Sequence, residues 1–196
     1  MKLLNSHTMI FGLKNAGKSN FVAHILAQPA YRNQLVFDIN HEHGREDTHR
    51  YVPKNLTGDD VKQEFSEVFR RFVTQNDRDL RPDLFVAEEV SEVAPNRGSM
   101  ADGLGTIIRR NRHYGVGFVG VARRPASVDT SMVELADNLV IYSIRGKNDR
   151  RRLNAEAEGL GDAARDLDEY EFLVVDGSRR WERYDPLPEY DTTGEL

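Results

Sequence analysis

An α/β domain built on a mostly parallel central sheet is what this sequence predicts. Apolar runs of four to six residues alternate with longer amphipathic stretches, the pattern of strands joined through helices. The first run leads through a glycine-bearing turn straight into a helix. A late Asp176-Gly177 between two apolar-aromatic runs signals a closing hairpin.

The elements follow in order. Thr8–Phe11 is a short apolar run ending at a glycine, the first strand. Lys18 to Ala27 has no proline and carries Phe21, Val22, Ile25 and Leu26 at helical spacing. Leu35–Ile39 is the second strand. From Asp59 to Gln75, Val61, Phe65, Val68, Phe69 and Phe72 form one helical stripe, which core packing explains. Leu84–Ala87 is the third strand, followed by Glu88-Glu89. Pro95 to Gly105 is rich in Gly, Asn, Ser and Asp and reads as a loop or a loosely started helix. A helix over Thr106–His113 precedes the fourth strand, Val116–Val121, whose glycines imply close approach of a neighbouring backbone. A helix at Ser127–Ala136, a strand at Asn138–Ile144 and helices at Lys147–Glu158 and Asp162–Leu167 come next. Glu171–Val175 and Arg179–Tyr184 form the hairpin. Residues 1–184 read as one domain, and 185–196 as an acidic tail, with two prolines, four acids and no base, that serves as a contact arm.

Composition narrows the chemistry. The 196 residues include no cysteine, which excludes a disulfide framework, thiolate zinc sites and thiol catalysis. No stretch approaches the ~18 apolar residues of a membrane span, and Met1-Lys2 leads into no secretory signal, so no intrinsic membrane segment is expected. The net charge of −5 makes a whole-surface attraction to nucleic acid unfavourable, so contact with DNA needs a local basic patch.

Gly12-Leu13-Lys14-Asn15-Ala16-Gly17-Lys18-Ser19 matches G-x-x-x-x-G-K-[ST] in full. Converging backbone N–H groups cradle phosphate oxygens, and the glycines permit the dihedrals this needs. Lys18 meets the β and γ phosphates, Ser19 offers its hydroxyl to Mg²⁺, and the helix that follows points its positive end at the anion. At average residue frequencies a chance match in a chain of this length arises roughly once in a hundred. ATP with Mg²⁺ is the expected ligand. Glu88-Glu89, at the end of a strand, supplies the partner acids: Glu88 for the metal shell, through water, and Glu89 as the base or water-positioning group. Glu92 is an alternative to share that work. Asp38, Asn40, His41, Glu42 and His43 form a polar loop near the nucleotide rather than a zinc site. Arg109, Arg110, Arg112, Arg123 and Arg124 are candidates for stabilising transition-state charge.

Gly17-Lys18-Ser19-Asn20, Glu88-Glu89 and the run from Arg112 through the fourth strand to Arg124-Pro125 resemble the HerA/FtsK superfamily of ring-forming, DNA-pumping ATPases. The resemblance covers residues 7 to 184 and implies a RecA/FtsK-like P-loop NTPase fold. It puts Asn20 beside the nucleotide. Arg112 falls on the position of an arginine that acts on the neighbouring subunit, and Arg124-Pro125 on the family's R-P. Ala122-Arg123 stands where the family has Thr-Gln, with Arg123 at the γ-phosphate sensor. A bare motor of this size is similar to the genome-packaging ATPases of tailless icosahedral viruses with an internal membrane. That implies duplex DNA, a homo-oligomeric ring (a hexamer) and capsid or membrane-vertex proteins as partners, in the host cytoplasm or the virion. The alternatives are a cellular or plasmid HerA-like translocase or helicase, a filamentous-phage assembly ATPase, and a P-loop nucleotide kinase. A guanine-nucleotide switch lacks its N-K-x-D motif here. Arg150–Arg152 and the 97–105 loop are candidates for the DNA-facing surface.

Overall fold

The computed structural model describes residues 3–43, 49–74 and 81–190. Its strands are β1 (His7–Phe11), β2 (Gln34–Phe37), β3 (His49–Tyr51), β4 (Leu84–Ala87), β5 (Gly117–Ala122), β6 (Asn138–Ile141), β7 (Phe172–Val175) and β8 (Trp181–Tyr184). Its helices are α1 (Lys18–Leu26), α2 (Gly58–Val68), α3 (Leu104–Tyr114), α4 (Thr130–Glu134), α5 (Lys147–Glu156) and α6 (Leu160–Arg165). One sheet runs in the order β3-β2-β4-β5-β1-β6-β7-β8. β1 to β6 are parallel, and β7 and β8 return antiparallel as the expected hairpin.

The strands are apolar throughout because both faces of the sheet are covered. Alternate residues divide between two cores. Ile10, Val36, Val86, Val119 and Val140 face α1 through Phe21, Val22 and Ile25. Met9, Phe37, Phe85 and Phe118 face the opposite side, where α2, α3, α4, α5 and α6 lie. In β5, a Cβ on Gly117 would run into the backbone oxygen of Leu3, and one on Gly120 would lie 2.7 Å from Met9 Sδ. The close approach expected there is to backbone in the first case and to a side chain in the second.

Several boundaries differ from expectation, each for a local reason. β3 was not foreseen: its three residues, His-Arg-Tyr, are polar and largely exposed. The stripe helix stops being α-helical at Val68 and continues as a π-turn over Phe69–Val73. Its expected end, Gln75, lies outside the described residues. The stripe itself is core: Val61, Phe65, Val68 and Phe69 are buried. The expected helix over Ser127–Ala136 is a 3₁₀ turn followed by the short α4, because the Asp129 side chain accepts from Ser131 N at 2.9 Å and starts a new helix there. β6 ends at Ile141, three residues early. The hairpin loop spans residues 176–180, with Arg179 at φ 62, so the second strand begins at Trp181 rather than Arg179. Among the described residues, no helix is long and apolar enough to cross a membrane.

Candidate functional site

β1, β2, β4 and β5 all end on one edge of the sheet, and the site is built there. β5 lies between β1, which carries the phosphate loop, and β4, which carries the acid pair. Gly12 is pressed against Tyr142: a Cβ would lie 2.6 Å from the tyrosine's own Cβ. Asn15 and Gly17 take φ 60 and φ 105, which turn the loop sharply into α1. Gly17 caps α1 with no side-chain acceptor, so the first N–H groups of a nine-residue helix remain available to an anion. Lys18 Nζ donates to Leu13 O at 2.9 Å, folding the ammonium over the loop. Burial lowers its pKa, opposed by Glu88, Glu89 and Glu42. A cavity of about 290 Å³ opens here, lined by residues 14–20 together with Glu42, Glu88, Glu89 and Arg123. The structure therefore brings together most of the residues expected from sequence.

The acids are held in distinct ways. Glu88 is 2% exposed and its Oε1 lies 2.7 Å from His43 Nε2. Burial raises the Glu88 pKa against the pull of His43. Burial also opposes charge on His43, but its bond to Glu88 and the charges of Glu88, Asp38 and Glu42 carry its pKa above the ordinary value. Glu89 sits at φ 43, an unusual conformation for a non-glycine residue, and both its oxygens are engaged. One pairs with Arg123 Nε at 3.0 Å, and the other accepts from Ser91 Oγ at 2.9 Å. Glu92, on the 3₁₀ turn that follows, does not line the cavity.

The connection after β2 contributes two groups whose roles the sequence did not reveal. Asp38 is fully buried, pairs with Arg50 at 2.7 Å, and accepts the backbone N–H groups of Glu42 and His43 at 3.1 and 3.0 Å. So anchored, His43 reaches Glu88, and Glu42 accepts a hydrogen bond from the Ser19 hydroxyl. The usable signal was an acid-rich segment leaving a strand on the same edge as the phosphate loop.

The arginines separate. Arg123 joins the site. Arg124 turns away to the buried Asp149, at 3.0 Å. Arg112 precedes β5 and pairs at 3.2 Å with Asp137, just before β6, so it lies on the edge where the strands begin. Five or six residues of strand, ~17–20 Å, separate that edge from the phosphate loop. Arg109 and Arg110 are exposed on the same helix, α3. Arg150 pairs with Asp162, and Arg152 donates to Val128 O, so of that run only Arg151 is fully exposed.

Asn20 serves the tail. Its Nδ2 donates to Pro188 O at 2.9 Å and its Oδ1 accepts from Tyr190 N at 2.7 Å, while His24 Nε2 lies 2.8 Å from Pro188 O. Residues 187–190 thus lie along α1, a contact arm on the chain itself. They wall a second cavity of about 340 Å³, shared with Gly17, Tyr142 and Tyr170, at the side of the phosphate loop.

No protein-family model and no curated protein matches the chain. A complete phosphate loop between a central parallel strand and a helix, with acids two strands away, defines the fold as that of a P-loop NTPase. Among solved structures, the chain is similar to the genome-packaging NTPase B204 of Sulfolobus turreted icosahedral virus 2, determined in complex with AMPPCP. Identity is 16%, covering 94% of this chain and 98% of that one, with a TM-score of 0.74. It is similar also to the N-terminal domain of zonular occludens toxin from Neisseria meningitidis, at 15% identity, 91% and 93% coverage and a TM-score of 0.55. The Type VII secretion ATPase EccC of Thermomonospora curvata matches at 15% identity and a TM-score of 0.56, over 91% of this chain but 36% of that one. At these identities the likeness is one of fold, and the fold expected from the HerA/FtsK resemblance is the fold found.

Proposed function

We propose that the chain is the ATP-hydrolysing subunit of a motor that drives duplex DNA into a viral capsid. The observation that carries this reading is the single edge on which an intact phosphate loop, Glu88, Glu89 and Arg123 line one cavity, in a fold shared end to end with a genome-packaging NTPase. The packaging reading is preferred to the secretion one because the fold follows B204 more closely, with a TM-score of 0.74 against 0.56 for EccC.

The chemistry follows from the residues. Backbone N–H groups of residues 13–19 and Lys18 hold the β and γ phosphates, and the cavity walled by Tyr142, Tyr170 and Leu187 takes the base. The oxygens of Ser19, Glu42 and Glu88 are hard donors that suit Mg²⁺, which would supply charge neutralisation between the phosphates. Glu89, now tied to Arg123 and Ser91, becomes free to orient water when the γ-phosphate draws Arg123 away. Water oxygen then bonds to the γ-phosphorus as the bond to the ADP oxygen breaks, with Glu89 accepting the proton. Arg112 acts on a neighbouring copy in a ring. DNA is gripped through its backbone by a local arginine surface, at a capsid vertex in the host cytoplasm.

The test is hydrolysis by the purified protein with and without duplex DNA at low salt. Stimulation by DNA of any sequence, falling steeply with salt, is expected. Lys18→Ala should abolish turnover and weaken ATP binding sharply. Turnover retained in Lys18→Ala, or phosphate transfer to a nucleoside monophosphate in place of DNA stimulation, would overturn the reading.

A further inference from the structure

We propose that Glu42, from the connection between β2 and β3, is the acid that completes the magnesium shell at Ser19. The inference rests on the nucleotide-binding reading above. A serine hydroxyl that ligates a cation uses an oxygen lone pair and must still place its proton on an acceptor. In this structure the acceptor is Glu42, not either member of the strand-end acid pair. Glu88 has one oxygen committed to His43 and is 2% exposed, whereas Glu42 is exposed to the cavity. Glu89 is committed to Arg123 and Ser91. Glu42 is not a free surface acid either. Its backbone N–H is held by Asp38, which is fully buried and charge-paired with Arg50, so the connection is built to deliver it. His43, one residue on, is held by the same carboxylate and fixes Glu88 behind it; its imidazole nitrogen belongs to that bond rather than to a cation. Glu42 therefore accepts the Ser19 proton and offers its second oxygen to the cation or to a water bound to it. Glu88 lies within the same group of ligand atoms.

The experiment measures binding of a fluorescent ATP analogue to the full-length protein, first in chelator and then across a range of free Mg²⁺. Affinity in the wild type should rise with Mg²⁺. In Glu42→Gln the Mg²⁺ concentration giving half the rise should increase ~10-fold or more, with affinity in chelator little changed. Glu42→Asp keeps the charge one methylene back and should fall between the two. Glu67→Gln, an exposed acid on α2, should match the wild type. Unchanged thermal midpoints exclude misfolding. If Glu42→Gln needs no more Mg²⁺ than the wild type, Glu42 merely caps an empty loop and the inference fails while the nucleotide reading stands; should that variant not fold, Glu42→Asp matching the wild type overturns it equally. A wild type that binds no nucleotide at all would instead remove the underlying reading.

Discussion

His7 opens β1 fully buried, against the Phe118 ring and beside the backbone of Leu135. Burial lowers its pKa to about 4, against the opposing pull of Asp137. The unfolded chain takes up this proton near pH 6.5 and the folded one near 4, so the neutral imidazole favours folding fully above pH 6.5. That advantage shrinks as pH falls from 6.5 to 4. Between pH 7 and 5 the loss is ~2 kcal/mol from this group. His7→Leu should remove that share of the acid sensitivity, read as urea midpoints at the two pH values; an equal loss in both proteins would assign it elsewhere. At this scale the sequence was most legible where backbone geometry dictates residue type. Gly12, Gly17, Lys18 and Ser19 could be read directly because a phosphate cradle tolerates few substitutes. Glu42 and His43 could not, because the link from Glu42 to Ser19 spans 23 residues and that from His43 to Glu88 spans 45, at offsets no motif fixes.

Among the elements, α4 shows how a short helix is held from outside. The N–H groups of Leu135 and Ala136 meet the carbonyls of Ser131 and Val133, but the carbonyls that follow take partners from elsewhere. Arg179, from the loop between β7 and β8, supplies them: it donates to Ala136 O at 3.0 Å and to Glu134 O at 2.7 Å, and pairs with Glu156 at 3.1 Å. Arg179→Ala should leave those carbonyls and a mostly buried carboxylate without partners. A loss of ~2 kcal/mol is expected, a fall of roughly 4–8 °C in thermal midpoint. A midpoint within 1–2 °C of the wild type would mean that water replaces the guanidinium, an exchange that makes such bonds nearly neutral. The same residue explains a limit of sequence reading. Arg179 lies two residues after Asp176-Gly177 and two before Trp181, so it looks like strand, yet its φ of 62 belongs to a five-residue loop. Long apolar runs were readable because both faces of the sheet are covered. β3 was not, because three polar edge residues carry no periodicity, and α4 was misjudged because Asp129 cuts the run.

For the whole molecule, polarity is the main consequence of the parallel sheet. The phosphate loop and Glu89 sit where strands end, and Arg112 sits where they begin. One copy cannot bring the two together, but copies set head to tail can. Specific ATPase activity should therefore rise with protein concentration, and Arg112→Ala should bind ATP yet lose ~10³-fold in rate. Mixing inactive Arg112→Ala with inactive Glu89→Gln should restore hydrolysis, because some contacts then pair an intact Glu89 with an intact Arg112. If mixed assemblies form and remain inactive, Arg112 has a structural role only.

The bonds from Asn20 to Pro188 and Tyr190 join positions 168 and 170 residues apart. They also impose an order in time. During synthesis the phosphate loop and α1 emerge early, and the segment that walls the neighbouring cavity emerges after β8 has left the ribosome. A nascent chain paused before residue 187 can own a finished phosphate cradle while the place beside it is still open to solvent. Maturation of the site thus waits on a segment made long after the phosphate loop, however early that motif is translated.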